Sequence, residues 1–131
     1  MAITKEILLY IGASISTGIA GILHLMFVPS SINTGIQYVT LFLVSGLAQI
    51  FWILPMVRKW GKVWNIIGFA GTTVLVGLTG YVVVESAKNP QATPPGVMEL
   101  AVVIEIFQIS YVIITAIILL KYNKSLNTRM K

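Results

Sequence analysis

Long apolar runs separated by short polar punctuation dominate the chain. Apolar segments of spanning length cover residues 6–28, 35–57, 63–84 and 97–120. Each meets the roughly 20 residues a helix needs to cross about 30 Å of hydrocarbon. The punctuation reads as turns. Pro29, Ser30, Ser31, Ile32, Asn33 and Thr34 form a short polar link, and Arg58, Lys59, Trp60, Gly61 and Lys62 form a short basic one. The third link, residues 85–96, holds Pro90, Pro94 and Pro95. Short links make neighbouring spans antiparallel. The pattern therefore predicts an all-α, polytopic membrane protein, a single domain over residues 1–131 folded as an antiparallel four-transmembrane-helix bundle. The first segment is read as a retained helix: its apolar run is too long for a cleaved signal, only Lys5 leads it, and a second span follows almost at once.

Charge agrees with this picture. Only 10% of the 131 residues are charged while 56% are hydrophobic, against about 25% charged in ordinary soluble domains. Between residues 7 and 57 there is no Asp, Glu, Lys or Arg. A water-facing surface cannot be made from that stretch, which excludes a soluble enzyme and a disordered chain. The net charge of +5 would in a soluble protein suggest nucleic acid, but no basic stripe with interleaved aromatics exists, so no nucleic-acid partner is expected. Of the nine basic residues, Lys5, Arg58, Lys59, Lys62, Lys121, Lys124, Arg129 and Lys131 fall on one side of the predicted bundle and Lys88 alone on the other. Basic residues are retained in the cytoplasm, which predicts a multi-pass protein of the cell membrane with both termini cytoplasmic. Trp52, Trp60, Trp64 and Tyr122 would then mark the inner boundary, and Tyr38 and Tyr81 the outer one.

With little hydrophobic force between helices in lipid, close packing depends on small residues and on polar side chains that bond across contacts. The first span carries Gly12, Ser16 and Ala20 at four-residue spacing, and the third carries Gly68, Thr72, Thr73, Gly77 and Gly80. These faces are expected in the bundle interior. A shift of 59 residues sets Gly12 on Gly71, Gly18 on Gly77, Gly21 on Gly80, Gln49 on Gln108 and Trp52 on Tyr111. Such a register is that of a duplicated two-hairpin repeat about an axis along the membrane normal, although glycine-rich apolar helices also produce such coincidences.

Ionisable groups at membrane depth are functional candidates. They are His24 near the outer end of the first span, Glu99 at the outer end of the fourth, and Glu105 about two turns deeper, with Glu85 at the mouth of the outer loop. Neutral His24 with one or two carboxylates suits a divalent ion such as copper or zinc, or a proton relay, with Met26 or Met98 as softer neighbours. Glu99 and Glu105 point about 120° apart on a helix, and a His paired with a carboxylate to hold a helix contact is the structural alternative. Gln49 and Gln108 are expected to bond across helices, and Pro55 to bend or end the second span. Cys and Asp are absent and His24 is the sole histidine. That removes disulfides, thiolate centres, bis-histidine haem within one subunit and a Ser/His/Asp triad. A deep carboxylate in the first span, on which the small multidrug transporters depend, is also missing; Glu6 lies at its inner end.

Four segments carry a resemblance. They are Gly21-Ile22-Leu23-His24-Leu25, the run from Phe42 to Trp52 (FLVSGLAQIFW), Arg58-Lys59-Trp60-Gly61, and Ile104-Glu105-Ile106-Phe107-Gln108-Ile109. Over nearly its whole length the chain resembles a group of small four-span membrane proteins of ammonia-oxidising archaea. More distantly it resembles bacterial four-span proteins with a His near the end of the first span and an acid in the fourth. Residues 89–96 depart from the more glycine-rich loop of the archaeal group. The resemblance implies a setting rather than a reaction: a membrane whose copper-dependent ammonia monooxygenase has small helical accessory subunits. A non-catalytic subunit packing against larger membrane-protein subunits is the first expectation. A small transporter or metal- or proton-handling protein using His24, Glu99 and Glu105 is the alternative, and a self-associating homo-oligomer the third.

Overall fold

The computed structural model describes residues 4–93 and 95–129, with side chains through Lys121. Pro94, Lys131 and the side chains of Tyr122, Lys124 and Arg129 therefore lie outside the described residues. Among the described residues five helices form in order: α1 (Lys5–Ser31), α2 (Ile36–Phe51), α3 (Ile53–Val57), α4 (Lys62–Lys88) and α5 (Val97–Arg129). They make four spans long and apolar enough to cross a membrane, α2 and α3 together forming the second. The expected all-α, four-span architecture is the one observed.

Two boundaries differ from expectation. Helix α1 continues through Pro29 to Ser31, where a turn was expected. Pro29 cannot donate to the Leu25 carbonyl one turn back; only Ser30 and Ser31 follow it in the helix, and their hydroxyls donate to the Phe27 carbonyl at 3.0 and 2.8 Å. Helix α4 runs past the expected end at Val84 to Lys88. Its last turn is supported by Lys88 Nζ donating to Glu85 at 3.1 Å, with the cation where the helix dipole favours one.

Pro55 acts as expected. It cannot donate to the Phe51 carbonyl one turn back, and the second span breaks there, with Trp52 between α2 and α3. Helix α3 closes with Lys59 at φ +48°; Lys59 N–H donates to Met56 at 3.2 Å and Trp60 N–H to Pro55 at 3.1 Å. That is the paired Schellman pattern, usually completed by glycine. Here the lysine side chain approaches Glu6 at 3.7 Å and lies over the Tyr10 ring. Gly61, at φ +112°, then opens α4 in a conformation that L side chains rarely adopt.

Helix α1 is the centre of the bundle, packed on α2 and α5, while α4 packs on α5. Helices α2 and α4 make no comparable contact, so the fourth side is open. Under the two-hairpin repeat this side is the counterpart of the closed α1/α5 contact, so any two-fold symmetry is broken here. The outer surface is apolar, with Leu8, Ile15, Ile22, Ile36, Val63 and Leu120 exposed, while Thr17, Gln49, Asn65, Gln108 and Thr115 are buried. Such a distribution suits a protein whose solvent is lipid.

Helices α1 and α2 cross closely at Gly21 and Gly46. A Cβ built on Gly21 would stand 2.9 Å from the Gly46 carbonyl oxygen, and one on Gly46 would stand 2.9 Å from the Gly21 oxygen. Backbone therefore meets backbone, which only glycine on both sides allows. In α4 the small residues divide, correcting the expectation that all of them face inward. Gly68 and Thr72 are buried, but Gly71, Thr73 and Gly77 are exposed, because α4 has a neighbour on the α5 side and none on the α2 side. At the basic end, rings join the second span to α4: Trp52 on Trp64 (5.8 Å between centroids), Trp64 on Trp60 (5.0 Å) and Trp60 on Phe51 (6.3 Å).

Candidate functional site

The four ionisable candidates occupy separate places. His24 is buried in α1, its Nδ1 2.9 Å from the Ala20 carbonyl one turn back. Its ring stands 6.1 Å from that of Phe42, in a crevice of about 10 Å³ lined also by Ser45, Leu75 and Thr79. That space is about the size of one water, and no carboxylate lines it. Glu105 lines a different cleft, of about 360 Å³, between α4 and α5 with Gly80, Val83, Val84, Val102 and Ile106. Glu99 is exposed. Glu85 lines a basin of about 250 Å³ at the end opposite Lys5, Arg58, Lys59 and Lys62, with Tyr38, Tyr81, Ser86 and Asn89. Among the described residues no group of three His, Asp or Glu side chains is placed to hold a metal.

Glu105 is nonetheless unusual. Its Oε2 is buried and has no hydrogen-bond partner among the described residues, and the other walls of its cleft are glycine and aliphatic. A Cβ on Gly80 would stand 3.4 Å from Glu105 Oε1, an ordinary contact. Thr73, Gly77, Gly80 and Val84 follow one another at helical spacing along this side of α4, and a Cβ on Gly77 would meet nothing within 4 Å.

Polar groups converge lower in the bundle, among them Asn65, Tyr10 and Thr17, which neither composition nor spacing singled out. Asn65 in α4 is fully buried and its Nδ2 donates to the Tyr10 hydroxyl at 3.1 Å, joining α4 to α1. Thr17 donates to the main-chain carbonyl of Gln49 at 3.1 Å, joining α1 to α2. Tyr111 OH and Trp52 Nε1 both press on the α4 backbone at Gly68, which admits them only because it lacks a side chain. Both atoms, and both amide atoms of Gln49 and Gln108, are buried without hydrogen-bond partners among the described residues. Of the two glutamines expected to bond across helices, Gln108 has no such partner among the described residues, while the Gln49 amide in α2 stands beside His24 in α1. The pairs matched by the repeat, Gln49 with Gln108 and Trp52 with Tyr111, thus share a condition as well as a register.

On the open side, α2 and α4 enclose a cleft of about 230 Å³, lined by Thr17, Val44, Ser45, Ala48, Gln49, Trp52, Ile67, Gly68, Gly71, Thr72 and Leu75. It shares Ser45 and Leu75 with the His24 crevice above it.

No protein-family model, curated protein or solved structure matches the chain.

Proposed function

We propose that this chain is a non-catalytic integral membrane subunit that seats a larger membrane protein against the outward face of α4 and the adjoining α4/α5 cleft. One observation carries the reading: Gly77 is exposed with open space around it, next to a cleft that Glu105 lines. In lipid, an exposed glycine forgoes the packing that a larger side chain would make, unless a second helix approaches it closely. An intramembrane carboxylate in aliphatic surroundings likewise calls for a partner. The sequence resemblance suggests the archaeal ammonia monooxygenase as the complex concerned. The basic residues gathered at one end support, by the retention rule, an orientation with both termini cytoplasmic, and a cell-membrane location is part of the same proposal.

Extraction in mild detergent followed by native-gel mass spectrometry tests this. The chain is expected to migrate with larger subunits, and Gly77→Leu to release it as a small species. A wild-type chain that runs free, or runs only with copies of itself, would overturn the reading. The alternative, a proton- or metal-handling site, draws support from Glu105 alone, since His24 and Glu99 stand elsewhere. Stoichiometric copper or zinc in the purified protein, lost in Glu105→Gln, would favour it.

A further inference from the structure

We infer that the basin at the Glu85 end of the bundle is a binding site for a small organic cation, an alkylated ammonium group. Four aromatic rings line it, drawn from three helices: Phe27 of α1, Tyr38 and Phe42 of α2, and Tyr81 of α4. Phe27 and Phe42 are stacked, with 4.9 Å between centroids. The two phenols stand nearer the surface, Tyr38 37% and Tyr81 63% exposed. Anchoring at a membrane boundary accounts for either tyrosine alone, but not for two from separate helices meeting on one cavity that a carboxylate also lines. Aromatic faces attract a cation within about 6 Å of the ring centroid, and most strongly one that is weakly hydrated, as an alkylated ammonium is. The volume, about 250 Å³, lies below the roughly 300–1,000 Å³ of drug-sized sites and far above that of a bare metal ion.

Charge selects the ligand's sign. Among the described residues Glu85 is the one charged side chain that lines the basin, so an anion would meet a carboxylate with no basic group to offset it. A divalent metal takes six or more oxygens, several of them from carboxylates, and one carboxylate among rings is a poor set for it. The hydroxyls of Ser30 and Ser31 donate to the Phe27 carbonyl and that of Thr93 to the Asn89 carbonyl, so these three lining residues keep oxygen lone pairs rather than donors. Neither the α2/α4 cleft nor the α4/α5 cleft combines aromatic rings with a carboxylate. Glu85 does carry a cation already, Lys88 Nζ at 3.1 Å from Oε1, but the lysine side chain is 64% exposed and does not line the basin. Exposed pairs of this kind are weak. A ligand that meets the rings as well as the carboxylate outcompetes the lysine, which acts as a built-in competitor.

Choline is the probe, and its uncharged carbon isostere dimethylbutanol is the control of equal shape. Saturation-transfer NMR of their methyl protons is followed across a concentration series with the full chain in maltoside micelles, which carry no cation of their own. Choline is expected to bind saturably and dimethylbutanol not. Glu85→Gln is expected to weaken choline about tenfold, and Tyr81→Leu about two- to fivefold while Tyr81→Phe, which keeps the ring, does not. Lys88→Gln is expected to tighten it. These three side chains are solvent-reached, so the variants keep the fold, and Tyr81→Leu with Lys88→Gln decides the matter should Glu85→Gln fail. A second arm identifies the source: choline binding by itself assigns the site to a free cation, whereas saturable binding of dihexanoyl phosphatidylcholine alone, without its phosphatidylglycerol counterpart, assigns it to a lipid headgroup carrying the same group. Equal binding of choline and dimethylbutanol would overturn the inference. So would binding indifferent to all of these substitutions, or no saturable binding of choline or of the phosphatidylcholine. The test needs no larger subunit, so the cation site and the subunit reading fail independently.

Discussion

Alanine at Gly46 tests how the bundle is held together. The added Cβ would stand 2.9 Å from the Gly21 carbonyl oxygen and 2.8 Å from Leu25 Cγ, where ordinary contacts begin near 3.4 Å. Helices α1 and α2 must therefore separate by about 0.5 Å, and the whole seam loosens with them. Overpacking of this kind costs about 1–3 kcal/mol. Against that, alanine in a helix is favoured over glycine by about 1 kcal/mol, so the raw change for Gly46→Ala understates the clash. Gly77→Ala is the reference: it makes the same propensity gain, and its Cβ meets nothing within 4 Å. The difference between the two variants isolates the contact. Reversible SDS-titrated unfolding in mixed micelles should show Gly46→Ala less stable than Gly77→Ala by about 1–3 kcal/mol, with Gly21→Ala behaving like Gly46→Ala. A difference below about 0.5 kcal/mol, the ordinary scatter of surface substitutions, would refute the close crossing.

Two further outcomes follow from the polar interior. Tyr10→Phe removes the acceptor of Asn65 Nδ2 and should destabilise by about 1–3 kcal/mol in the same titration. Adding Asn65→Leu should recover much of the loss, and a neutral Tyr10→Phe would show that the bond does not hold α4 to α1. Glu105 should react with a lipid-soluble carbodiimide in preference to Glu85, and Glu105→Gln should abolish the adduct. Labelling confined to Glu85 and Glu99 would show that the α4/α5 cleft is not reached from the bilayer.

The residues differ in how much of their role the sequence discloses, and the bilayer explains why. A span announces itself by length and apolarity, both local properties of the chain. Charge scarcity and the four long apolar runs accordingly specified an all-α, four-span protein. Pro55 marked the break in the second span because a missing N–H acts within one turn. His24 and Glu105 were visible as rare ionisable groups at depth. Which helix face turns inward is a different matter. In water an apolar stripe identifies the buried side; in lipid both sides are apolar and the stripe disappears. Gly46 looked like any other glycine until its opposition to Gly21 was seen, and Asn65 like a polar residue near a helix start until Tyr10 met it. His24, Glu99 and Glu105, close in depth along the chain, went to different cavities because side-chain direction depends on helix rotation and neighbours, which spacing within separate helices does not set. The sequence by itself determined how many times this chain can cross a membrane and which end carries the positive charge. Only the tertiary structure decided that α2 and α4 stand apart, since that follows from α1 drawing α2 close through paired glycines while α4 packs on α5.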